Sequence, residues 1–202
     1  MNATMRNILR SLFIAAGLGA AGCGDLISQD RSPALLIIDS LEAAPGSSTT
    51  FSTTLQSDVV SATPPVAGTT PGGAPTALAD MGRVTLRSIM KDALAAPSPV
   101  NAITITGYRV AFRRSDGRAS PGVDVPRPFE SAISFTVPAG ASAPARTFEL
   151  VRVGAKSEAP LSALGNGLSI LSTTADVTFF GHDLTGNDVS VTGSIGVQFG
   201  NF

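Results

Sequence analysis

Residues 188–199 read DVSVTGSIGVQF: Val189, Val191, Ile195, Val197 and Phe199 share one parity, and Asp188, Ser190, Thr192, Ser194 and Gln198 the other. A period of two held over this length predicts a strand with one face on a core and the other in water. A second run, AITITGYRVAF over 102–112, carries its apolar residues on odd positions at Ile103 and Ile105 and on even ones at Tyr108, Val110 and Phe112. The parity changes at Thr106 and Gly107. One extra residue at a β-bulge produces such a switch, and glycine is the residue a bulge tolerates best.

From Pro33 onward the apolar residues fall in short runs bounded by Gly, Pro, Ser and Asp, the punctuation of an all-β chain. Further strands are predicted at 35–41, 50–56, 83–90, 132–137, 147–153 and 174–180. Eight strands with polar outer faces imply two packed antiparallel sheets, a β-sandwich of immunoglobulin-like type. The stretch SATPPVAGTTPGGAPTALAD, 61–80, offers few anchors for a core and is expected to form a long loop, either mobile or used in binding.

The N-terminus has a different character. MNATMRNILR carries Arg6 and Arg10 and no acid, and the uncharged run SLFIAAGLGAAG follows. Twelve residues rise about 18 Å as a helix, short of a bilayer core of about 30 Å, so the segment reads as a cleaved export signal. It ends on Ala20, Ala21, Gly22 and Cys23, the only cysteine. This order resembles the lipobox of bacterial lipoproteins, with Ala20 where that family prefers Leu. The resemblance implies a diacylglyceryl group on the Cys23 thiol, acylation (palmitate) of its amino group, and a mature chain that starts there. More than one acyl chain makes such anchoring durable. The division that follows is a signal peptide at 1–22, a membrane tether at 23–32 and a folded domain at 33–202. About ten tether residues reach roughly 35 Å at full extension. The chain as a whole resembles envelope lipoproteins of high-GC Gram-negative bacteria, and Gly24 after the cysteine, rather than Asp, favours the outer membrane.

Charge narrows the possible partners. Of 14 basic residues two lie in the signal segment, leaving twelve against 15 acids, a balance without the basic face that nucleic-acid binding needs. A single cysteine excludes an internal disulfide framework. With no Trp and one Tyr, the chain lacks the exposed aromatic platforms that sugars stack on. No cofactor motif is present.

Two stretches carry candidate chemistry. GHDLTGNDVS, 181–190, holds the only histidine, His182. Asp183, Gly186 and Asn187 are similar in spacing to the last hairpin of many bacterial immunoglobulin-like domains, where the Asp caps the turn and Gly and Asn accept positive φ. The resemblance covers about the last thirty residues and implies a fold, not an activity. One histidine with no G-x-S-x-G elbow or second histidine is a poor basis for a hydrolase or a zinc site, and Asp183, Asn187 and Asp188 offer only the beginning of a calcium shell. The second stretch, RRSDGRASPGVDVPRP over 113–128, follows Arg109 on the same strand. Arg109, Arg113, Arg114 and Arg118 form a possible anion-binding cluster, since guanidinium forks match carboxylates and phosphates; the alternative is a turn at Asp116-Gly117 whose arginines pair with Asp124 or Glu130.

The sequence therefore predicts a lipid-anchored, non-catalytic envelope component that binds the membrane through its anchor and has a possible protein partner. A ligand-binding module using 61–80 and 113–128 for an anion, peptide or sugar is the alternative reading, and a hydrolase built on His182 is a second.

Overall fold

The computed structural model describes residues 31–46, 48–60, 77–165 and 168–202. Its strands are β1 (Ala34–Ala44), β2 (Thr54–Asp58), β3 (Asp80–Met90), β4 (Ile103–Arg114), β5 (Phe129–Val137), β6 (Arg146–Val151), β7 (Leu171–Asp183) and β8 (Asp188–Gly200). Each overlaps a predicted strand, β2 only over 54–56. One sheet has the order β1-β3-β6 and the other β2-β8-β7-β4-β5, so the chain is a two-sheet, mostly β structure. The neighbouring strands are antiparallel with one exception: β2 lies on the edge of the larger sheet and runs parallel to β8. The expectation of wholly antiparallel sheets is corrected there. Alternation reports which face of a strand is buried and carries no information on its partner's direction.

The bulge in β4 is where the parity switch places it. Pairing with both β5 and β7 slips between Ile105 and Gly107, and Ile103, Ile105, Tyr108, Val110 and Phe112 are all buried. Without the extra residue, one half of β4 would turn its apolar side chains to water.

Between the sheets, Leu36, Leu86, Phe148 and Leu150 meet Val110, Val177, Phe179 and Phe199. Phe148 stands edge-on to both Phe179 and Tyr108, at centroid distances of 5.2 and 5.1 Å, an arrangement aromatic quadrupoles favour. The Tyr108 hydroxyl crosses the core, donating to the Glu149 carbonyl at 3.1 Å and accepting the Glu149 N–H at 3.2 Å. It ties β4 of one sheet to β6 of the other. Both outer faces carry ion pairs instead, among them Arg83–Glu42 and Arg87–Asp39 on the smaller sheet.

The registers assign each connection to one end of the sandwich. Ala34 opposes Met90, Ile103 opposes both Val137 and Asp183, and His182 opposes Asp188. Residues 31–33, 91–102, 138–140 and 184–187 therefore lie at one end, which also receives the chain from the N-terminus, while 141–145 run back along β3. The described residues at 45–46, 48–53, 115–128, 152–165 and 168–170 lie at the other, with the C-terminus. Among the described residues no helix is long and apolar enough to cross a membrane.

Candidate functional site

The end that receives the N-terminal segment is organised around Asp183. Its Oδ1 accepts the Thr185 N–H at 2.9 Å, the Thr185 hydroxyl at 2.7 Å and the Asn187 N–H at 2.9 Å, while Oδ2 accepts from the Asn187 side-chain amide at 3.0 Å. The backbone closes the turn through Asp183 N–H to Asn187 and Gly186 N–H to Asp183, both 3.0 Å, with Gly186 at φ +84. The turn cap implied by the Asp-x-x-Gly-Asn spacing is thus present, and these donors occupy the carboxylate that a calcium ion would need. Burial opposes ionisation of Asp183, but the hydrogen bonds from Asn187, Thr185 and Ser32 outweigh it and hold the carboxyl far below the usual carboxylate range.

Ser32 itself is buried, its hydroxyl accepts the Ala34 N–H at 3.3 Å, and the Lys91 N–H bonds to the Pro33 carbonyl at 2.9 Å. The point of entry into the domain is therefore held by the β7–β8 turn and by the segment after β3. Beside it lies a cleft of about 340 Å³ lined by Ser32, Lys91, Thr106, His182, Asp188 and Ser190, among others. His182 opposes Asp188 across β7 and β8, yet among the described residues no hydrogen bond engages its imidazole. A general base needs an orienting partner and a hydroxyl within about 3 Å. Lys91 and Asp188 have interactions of their own. Among the described residues no three His, Cys, Asp or Glu side chains converge as a metal centre requires.

An immediate prediction follows from Asp183. A carboxyl whose folded pKa lies below its unfolded value of about 3.9 contributes stability that is complete above that value and is lost as pH falls below it. Asp183→Ala is expected to cost about 2 kcal/mol at pH 7, the cost of donors left without their acceptor. In urea unfolding the gap between the two proteins should narrow steadily from pH 4 to pH 2. A constant gap would show that the charge of Asp183 plays no part.

The arginine cluster lies on the larger sheet and toward the opposite end. Arg109 and Arg113 project from the outer face of β4, and Arg114 and Arg118 flank the turn at Asp116-Gly117, where the Arg114 N–H bonds to the Arg118 carbonyl at 2.8 Å. Each faces a carboxylate: Arg109 with Glu130 at 3.8 Å, Arg113 with Asp176 at 2.9 Å, Arg114 with Asp116 at 3.3 Å, and Arg118 with Asp116 at 2.8 Å and Asp124 at 3.8 Å. An external anion would have to displace these partners. Residues 61–76 of the long stretch at 61–80 and the lipobox with Cys23 lie outside the described residues.

One cluster has no counterpart in the sequence reading. Asp80, the last residue of the stretch expected to be loop, is the first residue of β3 and is buried, so the core does find an anchor there. Lys156, at the end of the short helix α1 (Val153–Lys156), places Nζ 2.9 Å from Asp80 Oδ2 and 3.0 Å from Oδ1, and both side chains are 1% exposed. Nζ also donates to the Asp58 carbonyl at 2.8 Å. Ser57 Oγ donates to Asp80 Oδ2 at 2.5 Å, and the Gly46 N–H to Oδ1 at 2.9 Å. Burial pushes the Asp80 carboxyl upward, against the pull of Lys156, Ser57 and Gly46. The cluster ties together four segments distant in sequence. One signal for it existed: Lys156 is one of only two lysines in the chain.

No family model, no curated protein and no solved structure matches this chain.

Proposed function

We propose that this protein is a lipid-anchored component of the bacterial cell envelope, carried at the outer membrane, with a non-catalytic binding or structural role. The observation that carries the reading is the basic, then apolar, then small-residue order ending at Ala20-Ala21-Gly22-Cys23, followed after a short tether by an ordered domain. The position of entry is consistent with it: Ser32 and Pro33, about ten residues after the cysteine, are already held by the Asp183 turn and by Lys91. The sandwich itself we assign to the immunoglobulin-like type. Support comes from the strand orders, three strands against five, from the crossing of the chain between sheets after β1, and from the parallel β2–β8 edge.

Mass spectrometry of the mature N-terminus tests the anchor. Acylated Cys23 is expected as the first residue, and Cys23→Ala should move the protein from the membrane fraction to the soluble one while its unfolding curve stays unchanged. An unmodified N-terminus at another residue rejects the proposal. A pulldown from the native envelope, comparing the wild-type chain with Cys23→Ala, then separates an envelope complex from a solitary role.

A further inference from the structure

The end of the sandwich that receives the tether holds two leucines out into solvent on aspartate-capped turns. In the 91–102 connection, Asp92 Oδ1 accepts the Leu94 N–H at 2.9 Å and the Asp92 carbonyl accepts the Ala95 N–H at 3.1 Å; Leu94 is 96% exposed. In the β7–β8 turn, Asp183 holds Thr185 and Asn187, and Leu184, between Asp183 and Thr185, is 61% exposed. Val100, on the single 3-10 turn that closes the same connection, is exposed as well. The backbone at these turn tips is fixed by hydrogen bonds, so the leucines are displayed and have no core to collapse into. Exposed aliphatic side chains on ordered loops at one end of a domain are suited to an apolar partner.

We propose that these turns rest on the lipid surface, with Leu94 and Leu184 entering the boundary between headgroups and acyl chains. The proposal deepens the anchor reading and rests on it. Its occupant is set by the tether: a chain acylated at Cys23 enters the domain beside the Asp183 turn, and the intervening residues reach about 35 Å at most, so this end can be drawn onto the bilayer. The opposite end also exposes apolar residues, such as Val123 and Ile170. It stands a full strand length farther away, about 44 Å for the thirteen residues of β7. Both sheet faces are laced with ion pairs, which favours end-on contact over a domain lying flat. Contact by the turns adds buried apolar surface to that of the acyl chains and orients the sandwich away from the membrane.

The chain contains no tryptophan, so a single introduced one is an unambiguous reporter. Leu94→Trp, Leu184→Trp and Val123→Trp, each in the full-length, signal-processed protein, are to be reconstituted into phosphatidylethanolamine and phosphatidylglycerol vesicles with brominated acyl chains. The expected result is fluorescence quenching of at least twofold for the Leu94 and Leu184 reporters and none for the Val123 reporter. If Cys23 is acylated and the two leucine positions are quenched no more than Val123, the domain is held off the bilayer; the inference then fails and the anchor stands. Quenching of only one of the two leucine positions means a tilted contact and overturns the end-on arrangement. A protein that proves unacylated at Cys23 removes the anchor reading, and this inference with it.

Discussion

Replacing Lys156 with methionine is expected to lower the unfolding free energy by about 3–5 kcal/mol, the usual cost of removing one partner from a buried ion pair. The damage comes from what remains. Asp80 keeps the Ser57 hydroxyl and the Gly46 N–H but loses the Lys156 ammonium, and its charge is left in a low-dielectric interior. Asp80→Asn introduced on top of Lys156→Met should restore more than half of the loss, since the amide oxygen can still accept the Gly46 N–H while the amide NH2 donates to the Ser57 hydroxyl, which turns from donor to acceptor, and no charge is left behind. The sign of the pH effect is also set. In Lys156→Met the Asp80 carboxyl has a folded pKa above its unfolded one, so the folded state is favoured while that carboxyl holds its proton and is penalised as pH rises through the folded value. Urea unfolding should therefore show a larger deficit at pH 7 than at pH 4.5. A deficit under about 1 kcal/mol at pH 7 would mean that the four segments are held together by packing alone.

The second large effect is expected at Gly181, which opposes Ile105 on β4 beside the bulge. A Cβ placed there would collide with the Thr104 carbonyl oxygen and lie 2.8 Å from Ile105 Cα. Those atoms are backbone, locked by pairing with β7, and cannot swing aside as a side chain would. Gly181→Ala should cost about 3 kcal/mol, the upper part of the range for overpacking. Gly196→Ala is the matched control: it lies on the neighbouring strand β8, and its Cβ would meet only Thr54 Cγ2 at 3.7 Å, an ordinary contact. That substitution should be neutral or slightly stabilising, because alanine loses less chain entropy on folding than glycine. Equal effects at the two sites in thermal unfolding would refute the close-approach argument.

Much of the local architecture was legible in the chain. Alternation located the strands, the parity switch in 102–112 located the bulge, and Asp-x-x-Gly-Asn located the turn that now appears as the capped end of the β7–β8 hairpin. These signals are legible because they are short-range: a side chain two residues on lies on the same face, and a turn residue bonds its own neighbours. The arginine cluster was legible as an alternative. Exposed guanidiniums on a polar parity meet either carboxylates or a ligand, and the fold sets Glu130, Asp176, Asp116 and Asp124 against them.

What depends on distant segments was not legible. Asp80 closes a proline- and glycine-rich stretch and looks like loop, and Lys156 looks like a solvated charge, until Ser57, Gly46 and the Asp58 carbonyl are brought to the same point. The display of Leu94 and Leu184 at the end where Ser32 and Pro33 lie is of the same kind, because each is one apolar residue in a polar turn and only the strand registers bring the two turns to one end. The sequence by itself determined the strands, their buried faces, the bulge and the expectation of an anchor at Cys23. The tertiary structure alone decided the sheet order, the parallel edge, the buried charge pair and the end on which the chain enters, since each depends on contacts between residues that no local pattern relates.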